Sequence, residues 1–235
     1  DETVAGGHAA LAFVLHRYDR DWAGAERAYR RALELAPNDS YYRWGWGLYE
    51  LNAARYDEAA ADLRWAQEHA PLSPALDSQL AIALACGGRY QEALTVLDRF
   101  DENDAGAVVF RGRIALRQGA ERRALAHFER AVALTGGGPI ALASLAHAYA
   151  TVGRDEEARA LIPELEARGA WIPEVYAALG EQRRALDELE RGYEQHHLLW
   201  LRCFPPAAFT DLTKHQILAA HPRMQDLLRR IDFPG

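Results

Sequence analysis

The sequence predicts an all-α fold: about six helix-turn-helix repeats stacked as a solenoid and closed by a C-terminal helical cap. Three observations predict it. Alanine recurs at Ala25, Ala59, Ala93, Ala124, Ala158 and Ala185, at intervals of 34, 34, 31, 34 and 27 residues. Four residues after each stands one large apolar residue, in the order Tyr29, Leu63, Leu97, Phe128, Ile162 and Leu189. Five residues before each, at Arg20, Ala54, Gly88, Gly119, Gly153 and Gly180, lies the place for a tight helix-helix turn. Coincident columns at one dominant period are the signature of a helical repeat.

A small residue four positions before a large one puts both on one helix face. The alanine admits the neighbouring helix and the large residue fills the remaining gap. The units fall at about 6–39, 40–73, 74–104, 105–138, 139–168 and 169–195, each a helix A, a turn and a helix B. Pro37 and Pro71, also 34 apart, close the first two. The stretch YYRWGWGLYE at 41–50 alternates aromatic and glycine residues and by itself resembles a strand. The register overrules that reading. Gly47 joins the column Phe13, Gly47, Ala81, Gly112, Ala146, where helix A meets helix B, and Trp46 takes the core position before it. Gly45 is left as a helix penalty of about 1 kcal/mol with no evident reason. The third unit is three residues short and has DENDAGA in place of its proline, so a change of curvature is expected between Ala93 and Ala124. Residues 196–235 form the cap, with Pro222 starting a helix whose stripe is Met224, Leu227, Leu228 and Ile231; a solenoid needs one because its last repeat otherwise exposes a packing face.

Composition narrows the function. A net charge of -7 lacks the basic stripe that phosphate binding needs, which argues against direct nucleic-acid binding. No run approaches the 18 apolar residues of a membrane span. Cys86 and Cys203 make no metal or disulfide framework and fit a reducing compartment. The expected location is cytoplasmic, with the periplasm as the alternative. The chain begins with Asp1, so a piece of a longer protein is expected.

The 34-residue period with W-x2-L-G-like, alanine, aromatic and proline positions resembles the tetratricopeptide repeat over residues 6 to about 195. Within that group, HAALAFVLHRYDRDWAGAERAYRRALELAPND, PLSP, TGGGP, YAALGEQRRALDELERGYEQ and HPRMQDLLRRIDFP resemble the C-terminal arrays of bacterial multidomain regulators. The N-terminal modules of those regulators are winged-helix transcriptional regulators, serine/threonine kinases or nucleotide cyclases. The resemblance implies a right-handed α-α superhelix and an accessory or sensory role in such a regulator. It also implies a concave groove lined by helix A residues. In this chain those are Arg17, Tyr18, Tyr41, Trp44, Leu48, Asn52, Ile82, Arg113, Arg117 and His147, flanked by Val14, Ser78, Cys86, Val109 and Thr151.

Aromatic anchors beside guanidinium groups suit a peptide- or protein-binding surface. For Trp44 the competing expectation is packing on the neighbouring repeat, and for Arg113 and Arg117 satisfaction by neighbouring glutamates. The groove positions hold no lysine and one asparagine, so the carboxylate clamp of chaperone-adaptor repeats is not expected. The C-terminal histidines lack the i, i+4 spacing of helical metal ligands, and TGGGP has neither a preceding strand nor a following GK[ST]. The reading is therefore a non-catalytic protein-binding scaffold, without cofactor or metal. Self-association or a spacer role is the alternative, and an enzyme or metal site at the C-terminal histidines comes third.

Overall fold

The structure, a computed structural model, describes residues 2–70, 74–194 and 220–231. Among the described residues it is helical throughout, without strands, and the fold is an all-α superhelical repeat. The described residues divide into two compact units: 2–70 and 74–96 with 225–231, and 97–194 with 220–224.

In the first unit, α1 (Glu2–Val14) runs into a π-helical turn (Leu15–Asp19), followed by α2 (Trp22–Leu35), α3 (Ser40–Asn52), α4 (Tyr56–His69), α5 (Pro74–Cys86) and most of α6 (Tyr90–Leu97). In the second, α7 (Ala105–Arg117), α8 (Glu121–Thr135), α9 (Pro139–Thr151), α10 (Asp155–Ala167), α11 (Pro173–Ala178) and α12 (Gln182–Glu194) make three further pairs. Asp21, Asp39 and Asp104 cap α2, α3 and α7 by accepting from backbone N–H groups of the first turn. The division between the units falls within α6, in the unit that is short in sequence. Of the segment expected to cap the array, only α13 (Pro222–Ile231) and the two residues before it are described. The Trp22 indole donates to the Ile231 carbonyl at 3.0 Å in the first unit, and Arg223 pairs with Asp187 and Glu190, each at 2.7 Å, in the second.

The three columns behave as their spacing requires. All six alanines are completely buried, and the large residues four positions on are buried with them. All six turn residues take positive φ, from 58° at Arg20 to 81° at Gly153. A glycine adopts that conformation without strain, but Arg20 and Ala54 do not.

Around YYRWGWGLYE the chain is α3, and both glycines have steric reasons. A Cβ on Gly45 would stand 2.9 Å from Cε1 of Tyr29, so the glycine admits the tyrosine ring. A Cβ on Gly47 would stand 3.0 Å from Cγ of Leu63 on α4. Trp46 is buried and stacks on Tyr49, centroids 5.1 Å apart, with Tyr29 edge-on at 6.2 Å.

The small-residue column fails in one place. The register puts Phe13 in the tight column, yet it is exposed, and Ala12 is the buried residue in that core. The π-helical turn explains the shift. Its i→i+5 bonding absorbs one extra residue, seen in the Asp21 N–H bonding the Leu15 carbonyl one step past the turn, so α1 arrives one residue out of register.

Candidate protein-binding surface

In the first unit, the exposed aromatic residues come from α1, its π-turn and α3. Tyr18 and Tyr41 are 54% and 62% exposed. Tyr18 meets Phe13 edge-on at 6.3 Å, and the Arg17 guanidinium lies over the Phe13 ring at 5.5 Å. Tyr41 meets Trp44 edge-on at 5.5 Å. Trp44 is half-buried, and its indole N–H donates to the side-chain oxygen of buried Gln79 on α5. The polar edge of Trp44 is thus spent on the next repeat, while its ring and Tyr41 form a T-shaped pair at the surface.

Three groove residues sit deeper than their register suggests. Leu48, Asn52 and Ile82 are only 9%, 9% and 5% exposed. Position along helix A gives the direction of a side chain, but the adjacent repeats decide its depth. Asn52 has a specific occupation: its amide lies 2.9 Å from Nε2 of His16 in the π-turn. His16 is buried among Trp22, Tyr29 and Tyr49, at centroid distances of 5.3, 6.3 and 5.5 Å. Burial, with Arg17 adding to it, pushes the imidazole down to about 3. It is neutral over the whole physiological range.

The second unit holds Arg113, Arg117 and His147. Arg113 on α7 donates to the Ser144 hydroxyl on α9 at 3.2 Å and lies over the Phe110 ring at 5.7 Å. Glu174, in the first turn of α11, is pushed up to about 7 by burial, against the pull of its own backbone N–H and of Arg113. Arg117 is exposed and His147 half-buried; the Thr151 hydroxyl donates to the His147 carbonyl at 2.7 Å. Arg113 thus belongs to a polar line with Ser144 and Glu174. Gln79, Ser144 and Glu174 are not among the residues the sequence singles out. Gln79 has a signal, since it stands 35 residues after Trp44, one more than the repeat period.

Among the described residues no group of three or more metal-ligating side chains is gathered, and no helix is long and apolar enough to cross a membrane. His196, His197, Cys203 and His215, which carry the metal alternative, lie outside the described residues.

The geometry defines a fold class, an all-α superhelical repeat of helix-turn-helix units. Among solved structures the chain is similar to PilW, a widely conserved type IV pilus biogenesis factor, with TM-score 0.61 and 18% identity over 96% of this chain and 98% of that one. It is similar also to TTC0263, a thermophilic TPR protein of Thermus thermophilus, with TM-score 0.58 and 21% identity over 79% and 98% of the two chains. The MamA protein matches with TM-score 0.53 and 20% identity over 81% and 94%. At such identities the likeness establishes the fold alone. No family profile and no curated sequence matches the chain.

Proposed function

We propose that this chain is a non-catalytic protein-interaction module in which the aromatic surface of the first two repeats receives a peptide or protein segment. The carrying observation is the pair Tyr41 and Trp44, one ring exposed and the other anchored through Gln79. A fixed aromatic beside an exposed one is a low-entropy binding surface, and truncating such an anchor costs about 2 kcal/mol or more. Arg17 and Tyr18 extend this surface. Arg113, with Arg117 four residues on and His147 one repeat later, supplies a polar site in the second unit suited to acidic side chains. The wider reading makes the chain the accessory or sensory part of a bacterial regulatory protein, and it rests on the sequence resemblance.

The test selects peptides by display on the full chain and measures their affinity for Tyr41→Ala and Tyr18→Ala variants. Both residues are exposed, so the fold survives. Loss of tenfold or more with Tyr41→Ala supports the site, and unchanged affinity in both variants refutes it.

One observation favours self-association as a second reading. Val4, Leu11, Phe13 and Val14 expose apolar side chains along α1. Sedimentation of the chain at rising concentration separates the readings: a dimer that Leu11→Glu dissolves supports the second.

A further inference from the structure

Among the described residues, arginines commonly end on carboxylates. Arg43 reaches Asp62, Arg154 reaches Glu157 and Arg223 reaches Glu190, at 2.8, 2.7 and 2.7 Å. The α7–α8 pair departs from that habit. Residues 105–135 carry six arginines against two glutamates, in a chain whose net charge is -7. Two of the six, Arg113 and Arg117, belong to the groove. Away from it, Arg123 donates to the side-chain oxygen of Gln118 at 3.3 Å and Arg130 to that of Asn103 at 3.1 Å. Arg111, its side chain 17% exposed, donates to the Leu97 carbonyl at 2.7 Å. The carboxylate near it, Asp98, lies farther off at 3.4 Å and is itself 74% exposed. A neutral oxygen orients a guanidinium without cancelling its charge.

These charges converge on one place. Arg123, His127 and Arg130 stand at i, i+4 and i+7 on α8 and so share a face. Gly112 lets α7 close on α8 there, since a Cβ would stand 2.7 Å from Cε1 of Phe128. Arg111 and His127 are the residues just before those two contact points. Arg111 and Arg130 both reach the segment between α6 and α7, at its two ends. Burial, and then Arg111, Arg123 and Arg130, hold the His127 imidazole below its usual range. Nearby acids are turned to other work. Glu129 accepts from Tyr149 on α9 at 3.4 Å, while Asp101 and Asp104 accept from the backbone N–H groups of Asn103 and Ala107 at 2.7 and 2.8 Å.

We propose that the α7–α8 face carrying Arg111, Arg123 and Arg130 docks an acidic helical segment of a partner protein, whose carboxylates replace the neutral acceptors. The surface shares no residue with the groove and does not depend on it. Arg123 and Arg130 lie two turns apart, about 10 Å along α8, which matches carboxylates seven residues apart on a facing helix. A carboxylate in place of an amide oxygen gives a charge-assisted bond and can be bidentate. A nucleic-acid strand fits less well, because its unbroken charge would also meet the rest of the chain, which is net negative.

Fluorescence anisotropy on the full chain at low salt tests this with two labelled alanine-based helical peptides. One carries glutamates seven residues apart, and the other has glutamines in their place. The glutamate peptide should bind, more weakly as salt rises, and the glutamine peptide should not. Arg123→Gln with Arg130→Gln should weaken binding about tenfold. Arg27→Gln with Arg183→Gln removes the same charge elsewhere and should leave affinity within about twofold. All four side chains are exposed, so both double variants keep the fold. Equal loss in the two variants overturns the proposal, as does a glutamate peptide that fails to bind. A short single-stranded DNA that binds more tightly than the peptide, through the same two arginines, overturns the choice of partner. The His127 ring resonances report on the site directly. A carboxylate placed among the three guanidinium groups should raise the His127 titration midpoint, and an unchanged midpoint in the saturated complex refutes the placement.

Discussion

The residue nine positions before the buried alanine does different work in the two compact units. In the second unit that column holds Ala115, Tyr149 and Tyr176, and the two tyrosine hydroxyls donate to Glu129 at 3.4 Å and Glu166 at 2.6 Å. Arg154 and Arg184 lie over the same rings at 4.4 and 4.7 Å. Each tyrosine fills space and ends in a satisfied, charge-assisted hydrogen bond. In the first unit the column holds His16, Glu50 and Leu84, all buried, and His16 and Glu50 each have one polar atom without a partner among the described residues. The tyrosine arrangement survives there one residue away: Tyr49 donates to Glu26 at 3.1 Å, and Arg55 lies 5.9 Å over its ring. The repeat backbone thus tolerates either chemistry. Only the first unit couples its packing to protonation through this column.

The largest expected effect tests what the units share. Phe128→Ala, in the second unit, empties a position that is 1% exposed and against which Gly112 offers no side chain. It should cost about 3–5 kcal/mol, with Leu63→Ala in the first unit costing about 2–5, read from urea midpoints. Near-zero cost at either would mean that its column does not hold the helices together. Ala59→Leu and Ala158→Leu overpack the opposite side of the same contact and should cost roughly 1–3 kcal/mol each.

A sharper test addresses the difference. Between pH 6.5 and 3, an unfolded histidine gains a proton that folded His16 refuses. The contribution of His16 itself should therefore fall by about 1.4 kcal/mol per pH unit across that window and stay constant above it. Denaturation followed through Trp fluorescence at about pH 7 and pH 4 should show the wild type losing stability relative to His16→Gln as pH falls. That variant lacks the titration and keeps a group able to bond Asn52. An equal loss in both would place the acid sensitivity elsewhere.

The repeat is legible because its signal is spacing, and spacing survives changes of residue identity. Six alanines, six turn residues and six large apolar residues end where their intervals place them. Phe13 is misplaced by the register because a single extra residue taken up by a π-turn leaves no mark in composition. Periodicity assigns Leu48, Asn52 and Ile82 to a surface because it gives direction around a helix but not depth beneath the next repeat. Trp44 points toward its neighbour and outward at once, and only the position of Gln79 settles how its indole N–H is used. The buried roles of His16 and Glu50 are invisible in the sequence, since each sits in a helical stretch that gives it no distinguishing neighbour.

The smallest effect concerns the turns. In the second unit the turn column is glycine at all three positions, whereas Arg20 and Ala54 hold φ of 58° and 59° in the first. A non-glycine residue in the left-handed region costs about 1–2 kcal/mol, and glycine forfeits part of that advantage through the greater freedom of the unfolded chain. Ala54→Gly should therefore stabilise by roughly 0.5–1 kcal/mol. Ala54 is exposed and its N–H bonds the Leu51 carbonyl, so the substitution removes no packing and no hydrogen bond. Arg20→Gly should gain less, because Arg20 makes side-chain interactions that glycine lacks. Thermal melts of the two variants read the order directly. If Ala54→Gly lowers the midpoint, unfolded-chain entropy outweighs backbone strain at this turn, and the glycines of the second unit are there for a reason other than φ.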